Sequence, residues 1–221
     1  MKRTVYTFFL SFLFTYSFAQ IDVNLIKKNA TENPKDNYYP LLEKFKVNPN
    51  DLSQEELNQL YYGSKFIKNE YSIGDYNSDY EKIWKKTQNK LSKMKADKII
   101  IEAEPKYIKN PLNKFVLEGM LYLYTASEDE KKLKIVKEQS DLIKTTIEKS
   151  GDGKSEQTPI CVINPGDVHA QLGKFRFIDR TKFEQKTKQL KDGSILSIYK
   201  MGDEVYYVKL VGGYYFSSDR L

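Results

Sequence analysis

Gly151-Asp-Gly-Lys-Ser-Glu-Gln157, followed by Thr158-Pro-Ile-Cys-Val-Ile163, divides the chain into two kinds of sequence. Before it, apolar residues recur at helical spacing. Leu133, Val136, Ser140, Ile143 and Ile147 mark one stripe of a helix running to about Ser150, and Gly151 is a good C-terminal stop. After it, apolar residues come in short runs. Pro159 to Ile163 reads as a strand, and Phe175 with Phe177 suggests another. Ile195, Ser197 and Tyr199 alternate with Leu196, Ile198 and Lys200, and Val205 to Val211 repeats the theme. Gly202-Asp203 between those two runs is a hairpin signal. The sequence therefore predicts an α+β protein. Residues 20–150 form a helical domain, residues 151–157 a linker, and residues 158–221 a small antiparallel β-rich part packed on the helices.

Working back from the divide, the helical part shows repeated start signals. Ser127-Glu-Asp-Glu130, Ser78-Asp-Tyr-Glu81 and Ser53-Gln-Glu-Glu56 all have the spacing of a capping box. In that box the serine hydroxyl and the glutamate carboxylate satisfy two orphan backbone N–H groups. Pro111 is placed as the first residue of a helix burying Leu112, Phe115, Val116 and Leu123. Ala96 to Ala103 reads as a short helix closed by Glu104-Pro105. Tyr80, Ile83, Trp84, Thr87, Leu91 and Met94 mark a stripe of one long helix. Gly63 sits inside the helix that begins at Ser53, which suggests close packing there. Tyr38, Leu41, Leu42 and Phe45 share one helix face, and residues 20–37 read as a short helix or arm followed by a loop. Capped helices in succession give an irregular helical-hairpin array, either tetratricopeptide-like or a bundle.

The first 19 residues read as a signal peptide. Lys2 and Arg3 precede a run rich in Phe, Leu, Val and Tyr, and Ser17-Phe-Ala19 places small residues ahead of a cut at Gln20. Gln20 stands where a bacterial lipoprotein would need cysteine. The expected location is exported, periplasmic or extracellular, without a lipid anchor and without an integral membrane segment after cleavage. The whole chain carries 36 basic and 30 acidic residues, a net charge of +6, and removal of the signal lowers it to +4. Arginine is confined to Arg3, Arg176, Arg180 and Arg220, and the lysines are interleaved with acids, so no nucleic-acid partner is expected. One histidine and one cysteine exclude an intrachain disulfide and the usual Cys/His zinc sites, and no cofactor is expected.

Certain elements occur in a distinctive order. Tyr38-Tyr-Pro-Leu-Leu42 precedes Leu60-Tyr-Tyr-Gly63, and Tyr71-Ser72 follows. Ser150-Gly-Asp-Gly153 closes the last helix ahead of Thr158-Pro-Ile160, and the chain ends with Val205-Tyr-Tyr-Val208 and Tyr214-Tyr-Phe216. This resembles a bacterial family of exported proteins known only as a domain of unknown function, over most of residues 38–216. The resemblance implies export and a shared fold, and no activity, cofactor or catalytic residue.

Candidate chemistry is sparse. Gly151-Asp-Gly-Lys-Ser155 has a phosphate-loop flavour, but Glu148 stands where the first glycine is required and the segment follows a helix. Asp75, Asn77 and Asp79 match the first three positions of a calcium loop, whereas Tyr80 and Lys86 fill positions that require Gly and Glu. His169 with Asp167 and the hydroxyl of Ser155 or Thr158 lacks any nucleophile setting. Cys161 lies in an apolar run and reads as core. Glu102 with Glu104, or Glu55 with Glu56, is the kind of carboxylate pair that glycoside cleavage uses. Tyr61, Tyr62, Asp152 and Tyr206 remain as binding candidates, because tyrosine offers a rigid face with a polar tip. The expectation is a non-catalytic binding or interaction module at the cell envelope, taking a protein, peptide or glycan. The alternative is a secreted hydrolase that uses paired carboxylates.

Overall fold

The computed structural model describes residues 21–67, 79–167 and 183–213. The helical part comprises α1 (Val23–Glu32), α2 (Pro34–Asn37), α3 (Tyr39–Val47), a 3-10 turn (Pro49–Asp51), α4 (Gln54–Gly63), α5 (Asp79–Thr87), α6 (Lys93–Lys109), α7 (Lys114–Ser127) and α8 (Glu130–Glu148). Strands β1 (Ile160–Val162), β2 (Phe183–Gln189), β3 (Ile195–Met201) and β4 (Glu204–Leu210) follow. The molecule is thus α+β, helices first and sheet second.

The helix starts follow from their caps. Asp22 Oδ1 accepts from Leu25 N at 3.0 Å and opens α1. At α4 both halves of the Ser53–Glu56 box are made. The box at residues 78–81 lies outside the described residues at Ser78. Ser127 does not start α8. It is the last residue of α7, and Glu128, at φ 63°, breaks the chain. Asp129 then caps α8 by accepting from Lys132 N at 3.1 Å. A carboxylate suits the positive end of the helix dipole better than a hydroxyl does. Pro111 likewise does not start α7. Leu112 is buried in a different cluster, and Asn113 becomes the cap, its Oδ1 accepting from Val116 N at 3.3 Å.

Two helix expectations are corrected in the middle of the chain. The stripe from Tyr80 to Met94 is split between two helices. The Thr87 hydroxyl donates to Trp84 O at 2.7 Å, so a side chain takes over a carbonyl at the end of α5. Conversely, α6 does not stop before Pro105 but carries it in its interior. Proline removes one helical N–H and crowds the carbonyl four residues back. Burial of Ala103 and Tyr107 on either side holds the helix together, and the Tyr107 hydroxyl donates to Gln139 Oε1 at 2.8 Å.

The sheet order is β1-β4-β3-β2. It is mixed and not purely antiparallel: β1 pairs parallel with β4, Ile160 opposite Val208 and Val162 opposite Leu210. β3 and β4 form the expected hairpin, with Gly202 at φ 64° in its turn. β2 pairs antiparallel with β3. Its residues, Phe183-Glu-Gln-Lys-Thr-Lys-Gln189, carry no apolar alternation, so the sequence did not announce it. Phe175 and Phe177 lie outside the described residues.

Among the described residues, three apolar clusters hold the structure. One joins α3, α4 and Leu112, and a second joins α5 to α8. The third spans both parts: Ile21, Val23, Ile26, Tyr61, Tyr62 and Ile147 meet Cys161, Val162, Val208, Leu210 and Val211. Each aliphatic side chain buried there contributes about 1.5–3 kcal/mol. Gln139, fully buried, ties the first two clusters together, donating from Nε2 to Phe45 O at 2.9 Å while accepting from Tyr107.

Candidate functional site

The end of α4 meets the end of β1. Leu57 and Leu60 seat one side of α4 against α3, which turns Tyr61 and Tyr62 toward the sheet. Their rings lie edge to face, centroids 4.9 Å apart. After Gly63 the chain folds tightly, with Phe66 N donating to Gly63 O at 2.9 Å, and this keeps Lys65 beside Tyr61. On the other side, β1 ends in a turn that Asn164 organises. Its Oδ1 accepts from Gly166 N at 2.9 Å and its backbone O from Asp167 N at 3.0 Å, which aims Asp167 back at α4.

The result is a buried polar cluster. The Tyr61 hydroxyl donates to Asp167 Oδ2 at 2.8 Å, the Tyr62 hydroxyl to Cys161 O at 3.1 Å, and Lys65 Nζ to Ile163 O at 3.1 Å. Burial pushes the Lys65 amine down to about 8, against the upward pull of the Asp167 charge. Burial, helped by Asp167, drives the Tyr61 hydroxyl well above its ordinary range, and burial does the same at Tyr62. Gly212, at φ 68°, lets the sheet end approach, since a Cβ there would meet Lys65 Cγ at 3.0 Å. Chemically the cluster is a latch. It fixes α4 to β1 by polar bonds in a dry setting, where each bond is strong and each loss is costly.

The four binding candidates occupy three different settings. Tyr61 and Tyr62 are both buried in this latch. Tyr206 is half-buried at the margin of the same apolar cluster, and its hydroxyl donates to Glu204 Oε2 at 2.8 Å. Asp152 is exposed, accepting at Oδ1 from Thr158 Oγ1 at 2.6 Å and Lys154 N at 3.0 Å. Those bonds, the Thr158 hydroxyl foremost, hold its carboxyl below the usual range. The Ser150-Gly-Asp-Gly153 motif knots the chain onto the sheet. Ser150 Oγ accepts from Cys161 N at 2.7 Å, and Gly153 O accepts from Tyr207 N at 2.8 Å.

The other candidates fall as follows. Asp75, Asn77 and His169 lie outside the described residues, and Asp79 is the first residue of α5. The hydroxyls of Ser155 and Thr158 bond each other at 2.9 Å. Cys161 is buried, and burial pushes its thiol up to about 11. Glu56 completes the α4 cap. Glu102 binds Lys86 and Lys106, while Glu104 binds Lys132 and the Tyr124 hydroxyl. Among the described residues no three His, Cys, Asp or Glu side chains gather as metal ligands. A cleft of about 120 Å³ is lined by Ser150, Pro159, Cys161, Leu196 and Lys209. It is smaller than the several hundred Å³ typical of ligand sites.

Sequence reasoning missed Lys65. Its signal was its place four residues after Tyr61, just past the end of α4. Also missed was the outer face of α6. Met94, Ile101 and Ile108 are exposed there by 67%, 77% and 54%. Their seven-residue spacing aligns them along one side of the helix.

No curated protein and no solved structure matches this chain. A family model for a domain of unknown function, DUF4919, matches residues 24–220, nearly the full length, and the chain therefore belongs to the DUF4919 family.

Proposed function

We propose that this protein is an exported, non-catalytic interaction module of the bacterial cell envelope, and that α6 presents its contact face. The signal-like first 19 residues support export. The apolar line of Met94, Ile101 and Ile108 carries the reading. Single exposed apolar residues are common, whereas three on one side of one helix give a partner a repeated apolar foothold. Of the tyrosines that motivated a binding role, Tyr61 and Tyr62 are buried in the latch, while Tyr206 donates to Glu204 at the margin of the sheet core. Of the carboxylates considered for hydrolysis, Glu56 is engaged in a cap and Glu102 and Glu104 in lysine pairs, so neither pair has two unengaged carboxylates, and no observation favours the hydrolase.

The test is fractionation of a tagged full chain from a bacterial host. The expected outcome is an exported protein beginning at Gln20 and associated with the envelope. Ile101→Asp should release it without changing its melting temperature. Retention in the cytoplasm with residues 1–19 intact, or an Ile101→Asp variant that fractionates like the parent, would overturn the reading.

A further inference from the structure

We propose that the outer face of α6 and the lysines around its N-terminal end dock on an anionic phospholipid surface. This rests on the reading above that α6 is the contact face, and it names what the face touches. Met94 to Ile108 spans about 21 Å of helix at 1.5 Å per residue. The line lies along the convex, solvent-facing side of the helix as a shallow ridge of exposed side chains. Residues 82–98 hold seven lysines, Lys82, Lys85, Lys86, Lys90, Lys93, Lys95 and Lys98, against the single acid Asp97. All seven are exposed. Lys86 pairs with Glu102 and Lys93 with Glu128. Among the described residues Lys90, Lys95 and Lys98 have no acidic partner within ion-pair distance. The chain as a whole is only mildly basic, so this surplus is local.

The combination selects the occupant. Apolar side chains aligned on a surface helix enter the headgroup boundary of a bilayer, and flanking lysines reach anionic headgroups on flexible stems. An acidic protein would satisfy the charges equally, but it would need a groove shaped to receive this ridge. A bilayer yields to any convex shape. Asp97 and Glu104 lie on one flank of the line and work against the attraction. Glu104 is already neutralised by Lys132, so the opposition falls to Asp97. Among the described residues no helix is long and apolar enough to cross a membrane, so the docking is superficial.

Flotation of the purified full chain with vesicles tests this. One set is phosphatidylcholine alone, the other phosphatidylcholine with phosphatidylglycerol. Binding to the anionic set is expected, and it should weaken as salt screens the charges. It should also fall at least roughly tenfold in Ile101→Asp and, separately, in the triple variant Lys90→Glu, Lys95→Glu, Lys98→Glu. Circular dichroism should show both variants folded, since every substituted side chain is exposed. Failure to float, equal binding to neutral vesicles, or a triple variant that binds like the parent would each overturn the inference. So would a concentration-dependent dimer abolished by Ile101→Asp, which would make a second copy the occupant. If envelope association in cells still depends on Ile101 while vesicles are not bound, the docking inference falls and the interaction module stands. If neither depends on Ile101, both fall.

Discussion

The Tyr61 hydroxyl reaches Asp167 across 106 residues of chain and donates to it at 2.8 Å. Both residues are buried, one at the end of α4 and the other just past β1. Through this bond a helix in the first third of the protein is registered against the sheet. Tyr61→Phe keeps the ring and removes the donor. The buried carboxylate then lacks one of its bonds, at a cost of about 1–3 kcal/mol. A urea-unfolding series should show a lowered midpoint with an unchanged slope, and an unchanged midpoint would count against the latch.

The Lys65 amine gives stability a specific pH dependence. Its folded value, about 8, is below the ordinary 10.5. Between those limits the unfolded chain binds more protons than the folded one, so this group raises stability as pH increases. Below pH 8 the amine is charged in both states and its burial cost is constant. Cys161 acts oppositely above pH 9, and Tyr61 and Tyr62 above pH 10, because their folded values are raised. The clean window is therefore pH 8 to 9. Parent stability minus that of Lys65→Met should increase across it, and a flat or falling difference would refute the assignment.

Two glycines, Gly63 and Gly151, should respond differently to alanine. A Cβ on Gly151 would stand 2.3 Å from Pro159 O and 2.6 Å from Thr158 O, both backbone atoms. The knot must open or shift, and Gly151→Ala should cost about 1–3 kcal/mol, as overpacking does. At Gly63 the nearest atom is the flexible Gln59 Nε2 at 3.3 Å, followed by Ala30 Cβ at 3.5 Å. There the helical preference of alanine, up to about 1 kcal/mol, offsets the crowding. Thermal melts of the two variants should separate clearly, with Gly63→Ala near the parent.

Cys161 should be inert in the folded protein. Burial raises its thiol, and the thiolate is the reacting form. A disulfide-exchange reagent at pH 8 should label the chain only when urea unfolds it, and the labelling midpoint should coincide with that of the circular dichroism. Rapid labelling without urea would mean that the cleft beside Cys161 opens readily.

Local chemistry was legible in the sequence wherever a few neighbouring residues decide the structure. The Ser53–Glu56 box, the Gly202 turn and the change of period at Gly151 are such cases. Where distant packing decides, the local signal misled. Pro105 reads as a helix end, but Ala103 and Tyr107 are anchored from α7 and α8. Pro111 reads as a helix start, but Leu112 is drawn into another cluster. The parallel pairing of β1 with β4 joins residues almost fifty positions apart, and β2 is polar because it borders the sheet. Of the candidate site, the paired tyrosines were visible as unusual residues. Their partners, Asp167 and the carbonyl of Cys161, belong to tertiary structure alone.

Ile21, Val23 and Ile26 share one core with Val208, Leu210 and Val211. Synthesis runs from the first group to the second. A growing chain therefore carries this core incomplete until β4 is made. The α3–α4 and α5–α8 clusters draw on residues up to 143 and can close earlier. The core joining helices to sheet cannot, and a chain that stops before Val208 lacks the β4 share of that core, Val208, Leu210 and Val211. Translation through β4 is therefore the condition for closing this core.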